Sequence, residues 1–470
     1  MAVKTVKMPP AKGSFGKPEL LAMGVGQVIG AGVVTYTVLC LKMTGYSAWL
    51  AYLLAVIVGF IMILPNLLAS SAVRMNGGFY GVVSSTLGGK AAGIFTYMNV
   101  VQTLGIAMFC TSCAGYLGDI FAPIGGPTAR MLVSVGLLTL FYVINMMGMD
   151  VMAKVQKLMV WILMAALGLF IVIGIPKIHL PIFDFSDPGF LTNGMATFAE
   201  NGTLAGGFVA AVFAFLGSTY GYGNVVGFGG QAKNPRKDMP VVMALSALVI
   251  LVLYVGVAIV AAGCMTVEEY GASTTLVFVA QKILPGPLFV LFIIGGPVMA
   301  LLTTLNGSFS FSTITMAKGC EDGWFPKKLA AKNNRGAYKY MLTIIYLIGV
   351  IPLILQFSIY TLLNQIQLLT SSVVLIYLAG FFLIPKKFPE AWEKSTLHVP
   401  KGLYYVSCTV SMAIFLAILI KSCMSITPSI VICSLAAFAV CIGLGVFRAK
   451  TGDITLYDSI WGDDGEASEE

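Results

Sequence analysis

Charge is what this chain has least of. Of its 470 residues, 10% are Asp, Glu, Lys or Arg and 58% are hydrophobic, whereas a soluble domain carries about 25% charged residues. So little polar surface excludes a water-soluble globule and makes lipid the solvent. Histidine is nearly missing: His179 and His398 stand far apart, with no cluster of acids or cysteines beside them. A membrane-embedded enzyme would need such groups, so no catalytic residue, metal ligand or cofactor is expected. No phosphate-cradling glycine loop occurs, which argues against an ATP-driven pump unless another subunit supplies the motor. No filter-like loop repeats, which argues against a channel. The nine cysteines lie mostly in apolar runs. Cys110 and Cys113 have CxxC spacing but read as small packing residues.

What is abundant is long apolar sequence. A helix crosses about 30 Å of hydrocarbon with roughly 20 apolar residues. Runs of that kind fall near 17–41, 46–73, 90–118, 128–147, 150–176, 203–229, 239–264, 286–318, 341–357, 359–384, 403–422 and 427–447, twelve in all. The first follows basic residues as a signal peptide would, but it is too long and lacks a small-residue cleavage site. With the amino terminus inside, 23 of the 28 Lys and Arg residues fall on the inner side. The outer side keeps Lys42, Arg130, Lys177, Lys282 and Lys421. This asymmetry places both termini in the cytoplasm of a multi-pass protein of the cell membrane. The net charge of +8 belongs to that topology and implies no nucleic-acid partner. The tail from 448 gathers seven acids and reads as solvated and disordered.

Two apolar runs are interrupted by glycine at matching places. Gly24-Val25-Gly26-Gln27-Val28-Ile29-Gly30-Ala31-Gly32 opens the first, and Phe213-Ala214-Phe215-Leu216-Gly217-Ser218-Thr219-Tyr220-Gly221 lies in the sixth. Lipid satisfies no bare N–H or C=O, so a broken helix at membrane depth lines a protected cavity. Paired breaks at the start of two halves point to the substrate site of a secondary transporter. A half-helix starting near Gly32 would offer orphan N–H groups to a carboxylate. Carbonyls near Val28, Ile29, Phe213, Phe215 and Leu216 would accept from an ammonium, so Gly30, Ala31, Gly32, Gly217 and Ser218 frame a seat for an α-amino acid. The competing reading of the first break is close helix packing through Gly26-x-x-x-Gly30.

With Gly77-Gly78-x-Tyr80, Asn145-Met146-Met147-Gly148, Ala153-Lys154-Val155-Gln156, Lys233-Asn234-Pro235-Arg236, Asn306 and Asp322-Gly323-x-Phe325-Pro326 in that order, the chain resembles the amino acid–polyamine–organocation permeases. The resemblance implies an all-α membrane fold of twelve helices, LeuT-like, with two five-helix repeats of opposite topology and broken helices 1 and 6. It divides the chain into an amino-terminal segment 1–16, repeats at 17–178 and 203–385, an outer loop 179–202, two further helices at 386–447, and the tail 448–470. The outer loop could hold a short surface helix. By family position Phe213 would close over substrate, and Thr103, Thr111, Thr304 and Ser308 would face it. Each hydroxyl could instead bond its own helix.

The family's polyamine and some basic-substrate members carry a glutamate after the span 6 glycine, where this chain has Ser218-Thr219-Tyr220. An acidic pair before Lys233 is replaced by Gly230-Gln231. No acid lies near the middle of any span, Glu200 and Asp150 being at ends. A second ammonium would be left unpaired, which favours neutral amino acids over diamines. An amino acid/amine antiporter handling a cationic or decarboxylated substrate is the alternative. Asp150 stands where many members have lysine; with Lys154, Thr303 and Thr304 it could couple Na+ or H+, or it could simply complement the start of its helix.

Overall fold

The computed structural model describes residues 4–6, 13–187, 189–191, 204–266, 269, 276–356, 359–425 and 428–462. Among them ten segments are long and apolar enough to cross a bilayer. The first helix of the chain stops early. α1 (Lys17–Val28) and α2 (Ala31–Thr44) are separated by Ile29 and Gly30 in extended conformation, which cannot continue the i to i−4 ladder. α3 (Ala48–Ala72), α4 (Gly78–Thr86), α5 (Gly89–Gln102) and α6 (Ile106–Ile120) follow, the last two joined by a 3-10 turn at Thr103–Gly105. α7 (Pro127–Met146) and α8 (Met149–Gly174) meet at the tight Gly148 corner.

The second interruption comes after α9 (Leu204–Leu216). Residues 217–219 form a turn, and after Tyr220 a 3-10 segment, Gly221–Phe228, replaces α-helix. α10 (Pro235–Cys264), α11 (Leu276–Ile283), α12 (Gly286–Ile293) and α13 (Met299–Glu321) come next, with a π-helical stretch at Ile294–Val298 around Pro297 joining the last two. α14 (Lys339–Ile354), α15 (Ile359–Phe382), the short α16 (Ile384–Lys387) and α17 (Pro389–Glu393), and the long α18 (Lys401–Ser425) and α19 (Pro428–Thr451) complete the helices. α18 packs on α3 and α15, and α19 on α5, so this pair flanks the bundle. The centre is held by α1, α8, α10 and α13.

Four short strands decorate one face. β1 (Lys4–Val6) runs parallel to β3 (Thr455–Tyr457), and β2 (Arg74–Met75) pairs antiparallel with β4 (Ile460–Trp461). Both ends of the described chain therefore lie on this face. The strands correct one expectation. The tail does not fray from 448: α19 continues to Thr451, and Ile454, Leu456 and Ile460 are buried. Those three recur at even spacing, a strand alternation diluted by the acids around it. Residues 463–470 lie outside the described residues, as do 192–203, where the outer-loop helix and Glu200 were expected.

Candidate functional site

The two interruptions abut. Gly221 lies directly against the Gln27 carbonyl, and Gly32 against Ser218. A Cβ on Gly32 would stand 2.5 Å from the Ser218 Cβ, so only glycine permits this approach. Gly30 caps α2 with no side-chain hydrogen bond, leaving first-turn N–H groups of the kind expected to hold an anion.

The carbonyls are more committed than the sequence suggested. Val28 accepts from the Tyr254 hydroxyl at 3.0 Å and from the Gly30 N–H at 2.9 Å. Phe215 accepts from the Ser218 N–H at 2.8 Å, and Leu216 from the Thr219 N–H at 3.1 Å and its hydroxyl at 2.8 Å. A tight turn after α9 thus engages its own last carbonyls. Tyr254 was invisible in the sequence, being one tyrosine within an apolar run.

An aromatic cluster fills the neighbourhood. Phe215 is fully buried and stacks on Tyr52 with ring centroids 3.5 Å apart, and it meets Tyr254 edge-on at 5.1 Å. The Tyr52 hydroxyl shares a hydrogen bond with Thr37 at 2.7 Å. Phe213 corrects another expectation. Two residues along a helix turn a side chain by about 200°, so Phe213 points away, 37% exposed, with the Lys421 ammonium 5.2 Å from its ring. Phe215, not Phe213, is the ring beside the breaks.

Of the hydroxyls, Thr304 reaches span 1: it donates to the Gly26 carbonyl or to Ala300, both at 3.0 Å. Ser308 lies one turn further along α13, half-buried. Thr303 is buried but bonds Ala300 at 2.9 Å, Thr103 bonds Val100 at 2.6 Å, and Thr111 bonds Ala107 at 3.0 Å. Those three back-bond their own helices. Three motif residues instead form a buried amide chain. Asn145 donates to Asn306 at 3.1 Å, Asn306 to Gln156 at 2.8 Å, and Gln156 to the Thr303 carbonyl at 3.2 Å. It ties α7, α8 and α13 behind the α1 break, a role the motif spacing did not reveal.

Asp150 and Lys154 do not join Thr303 and Thr304. Both are exposed on the first turns of α8, where Asp150 accepts from the Ser14 hydroxyl at 3.1 Å. A carboxylate favours that positive helix end without needing a bound ion. The charged pair bridging α1 and α8 is Glu19 with Lys157, 2.8 Å apart.

A family model described as "Amino acid permease" matches residues 15–456. The chain belongs to the amino acid permease family. As a permease it is a multi-pass membrane transporter and not an enzyme. It is 27% identical over 331 residues to an uncharacterized protein of Methanocaldococcus jannaschii, covering 68% of this chain and 72% of that one. It is 24% identical over 352 residues to a branched-chain amino acid permease of Bacillus subtilis, covering 71% and 72%. A methylthioribose transporter of the same organism is 26% identical over 302 residues, 59% of the permease and 61% of its relative.

Proposed function

We propose that this permease moves neutral amino acids across the cell membrane by alternating access, with the substrate's carboxylate on the first turn of α2. The abutting interruptions of the first and sixth spans carry the reading. Two further pairings and a count of spans support two inverted five-helix halves within twelve spans. The third span of each half is distorted, by the 3-10 turn at 103–105 and by the π stretch at 294–298. A short helix follows the second span of each half, α4 in one and α11 in the other. The apolar segment 32–72 folds as α2 and α3, and the shorter α14 adds to the ten, which brings the tally to twelve.

A neutral substrate fits the missing acids at 218–220 and the relation to branched-chain amino acid permeases. The methylthioribose relative favours a second reading, a polar solute that is not an amino acid. Counterflow in proteoliposomes, with labelled amino acids, methylthioribose and diamines, separates the two. Saturable exchange of neutral amino acids is the expected result. Exchange of methylthioribose alone supports the second reading, and exclusive transport of diamines defeats both. Arms with sodium or a pH gradient report the coupling, because a co-transported cation gains about 2.3 kcal/mol per 100 mV. Both termini lie inside on this reading, which the 23-to-5 split of basic residues supports.

A further inference from the structure

Between Asp322 and Glu390 the sequence contains no acid, yet Lys327, Lys328, Lys332, Arg335 and Lys339 crowd its first part. α7 is equally free of acids. The loop 331–338 folds back against the end of α7 and opens a cleft of about 450 Å³, lined by Lys332, Arg335, Lys339, Asn334, Val143 and Met147 among others.

The cleft is built rather than incidental. Asn333 donates to the Met146 carbonyl at 2.8 Å, and its side-chain oxygen accepts the N–H groups of Arg335 and Ala337 at 2.9 and 3.0 Å. The Arg335 carbonyl rests on Gly148, whose φ of +103° and lack of a Cβ, which would lie 2.6 Å from that oxygen, make the corner specific to glycine. The Lys332 and Lys339 ammonium groups sit over the rings of Tyr338 and Tyr340 at 4.8 and 4.7 Å. Among the described residues no carboxylate lies within 4 Å of Lys332, Arg335 or Lys339.

Its apolar side runs out along lipid-facing surface. Leu140, Val143 and Met147 follow one another at i, i+3 and i+7 on the exposed side of α7. Tyr340, Leu347 and Ile351 lie at i, i+7 and i+11 on the exposed side of α14, and the two helices touch through Tyr142 and Tyr346, stacked 4.7 Å apart. Three unpaired cations at the foot of an apolar furrow match a phosphate joined to acyl chains.

We propose that this cleft binds an anionic phospholipid, its phosphate among Lys332, Arg335 and Lys339 and its chains along α7 and α14. A free phosphate ester shares the headgroup chemistry but would leave the furrow unused.

The test uses the purified full chain in detergent and native mass spectrometry, with phosphatidylglycerol and phosphatidylcholine of identical chains as probes. Phosphatidylglycerol should remain bound and raise the melting temperature, and phosphatidylcholine should do neither. Each single substitution Lys332→Gln, Arg335→Gln or Lys339→Gln should weaken retention about fivefold, the effect of one basic side chain at an anionic surface. Asn334→Glu, which adds charge and removes no packing, should weaken it similarly. Lys386→Gln with Lys387→Gln serves as the control and should leave retention unchanged. Equal loss in the control would make the effect one of overall basicity and overturn the proposal. So would unaltered retention in the cleft variants, or protection by glycerol phosphate as strong as by the lipid.

Discussion

At the scale of single residues, the contact between Gly32 and Ser218 decides how close the two broken spans can lie. Gly32→Ala would drive a methyl group into the Ser218 side chain, and overpacking of this kind costs about 1–3 kcal/mol. Ser218→Gly in the same chain removes the obstacle. The double variant should therefore regain most of the melting temperature and uptake lost in Gly32→Ala, a coupling measured by the four-variant cycle. If the second change restores nothing, Gly32 is required for something other than this approach. The position of the glycine was legible in the sequence because backbone breaks have few causes. Its neighbour was not, since contacts between segments nearly 190 residues apart leave no local pattern. Tyr254 on the Val28 carbonyl and the Asn145–Asn306–Gln156 chain escaped for the same reason.

The helix is the scale at which the sequence speaks most clearly, and also where it misplaced a ring. Apolar length located the spans, and glycine located both interruptions. Family position chose Phe213, yet helical geometry turns Phe215 to the centre and Phe213 outward. Phe215→Ala removes a ring stacked on Tyr52 and should cost roughly 3–5 kcal/mol, as for other buried phenylalanines. Phe213→Ala should change the thermal midpoint in detergent little. Equal losses would mean that α9 is rotated from the orientation described. The unusual third spans follow the same logic. Pro297 lacks the N–H that an α-helix would use and coincides with a π stretch, a distortion foreseeable in kind. The 3-10 turn at Thr103–Gly105 has no such marker.

Across the whole molecule, the strands near both ends of the described chain and two inter-helix loops are joined on one face, and the Asp322 carboxylate links the strand at 455–457 to the loop after α13 and to α4. It lies just past the last turn of α13. Tyr80 donates to it at 2.6 Å, and the Tyr457 N–H at 3.3 Å, while the Asp322 carbonyl accepts from the Thr455 N–H at 3.1 Å. The Trp324 indole donates to the Tyr80 hydroxyl at 2.8 Å, and Asn76 holds the Ser459 carbonyl at 2.8 Å. The tail strand thus clasps the loops after α3 and α13, the two inner connections whose glycine motifs were conspicuous in the sequence. Burial raises the Asp322 carboxyl to about 6, although Lys318 at 3.8 Å and the Tyr80 hydroxyl oppose the rise. The folded clasp therefore binds a proton more tightly than the unfolded chain does. Its stabilisation is complete below about pH 4, where the unfolded carboxyl is also protonated, and is lost as pH rises through about 6. Hydrogen-exchange protection factors of the amides at 455–457 should accordingly be larger at pH 5 than at pH 7.5. Asp322→Asn, which cannot ionise, should flatten that difference while the strand pairing remains. A pH difference of the same size in Asp322→Asn would assign the titration to another group. Protection that rises with pH in the parent protein would reverse the sign and show the carboxylate to be held charged.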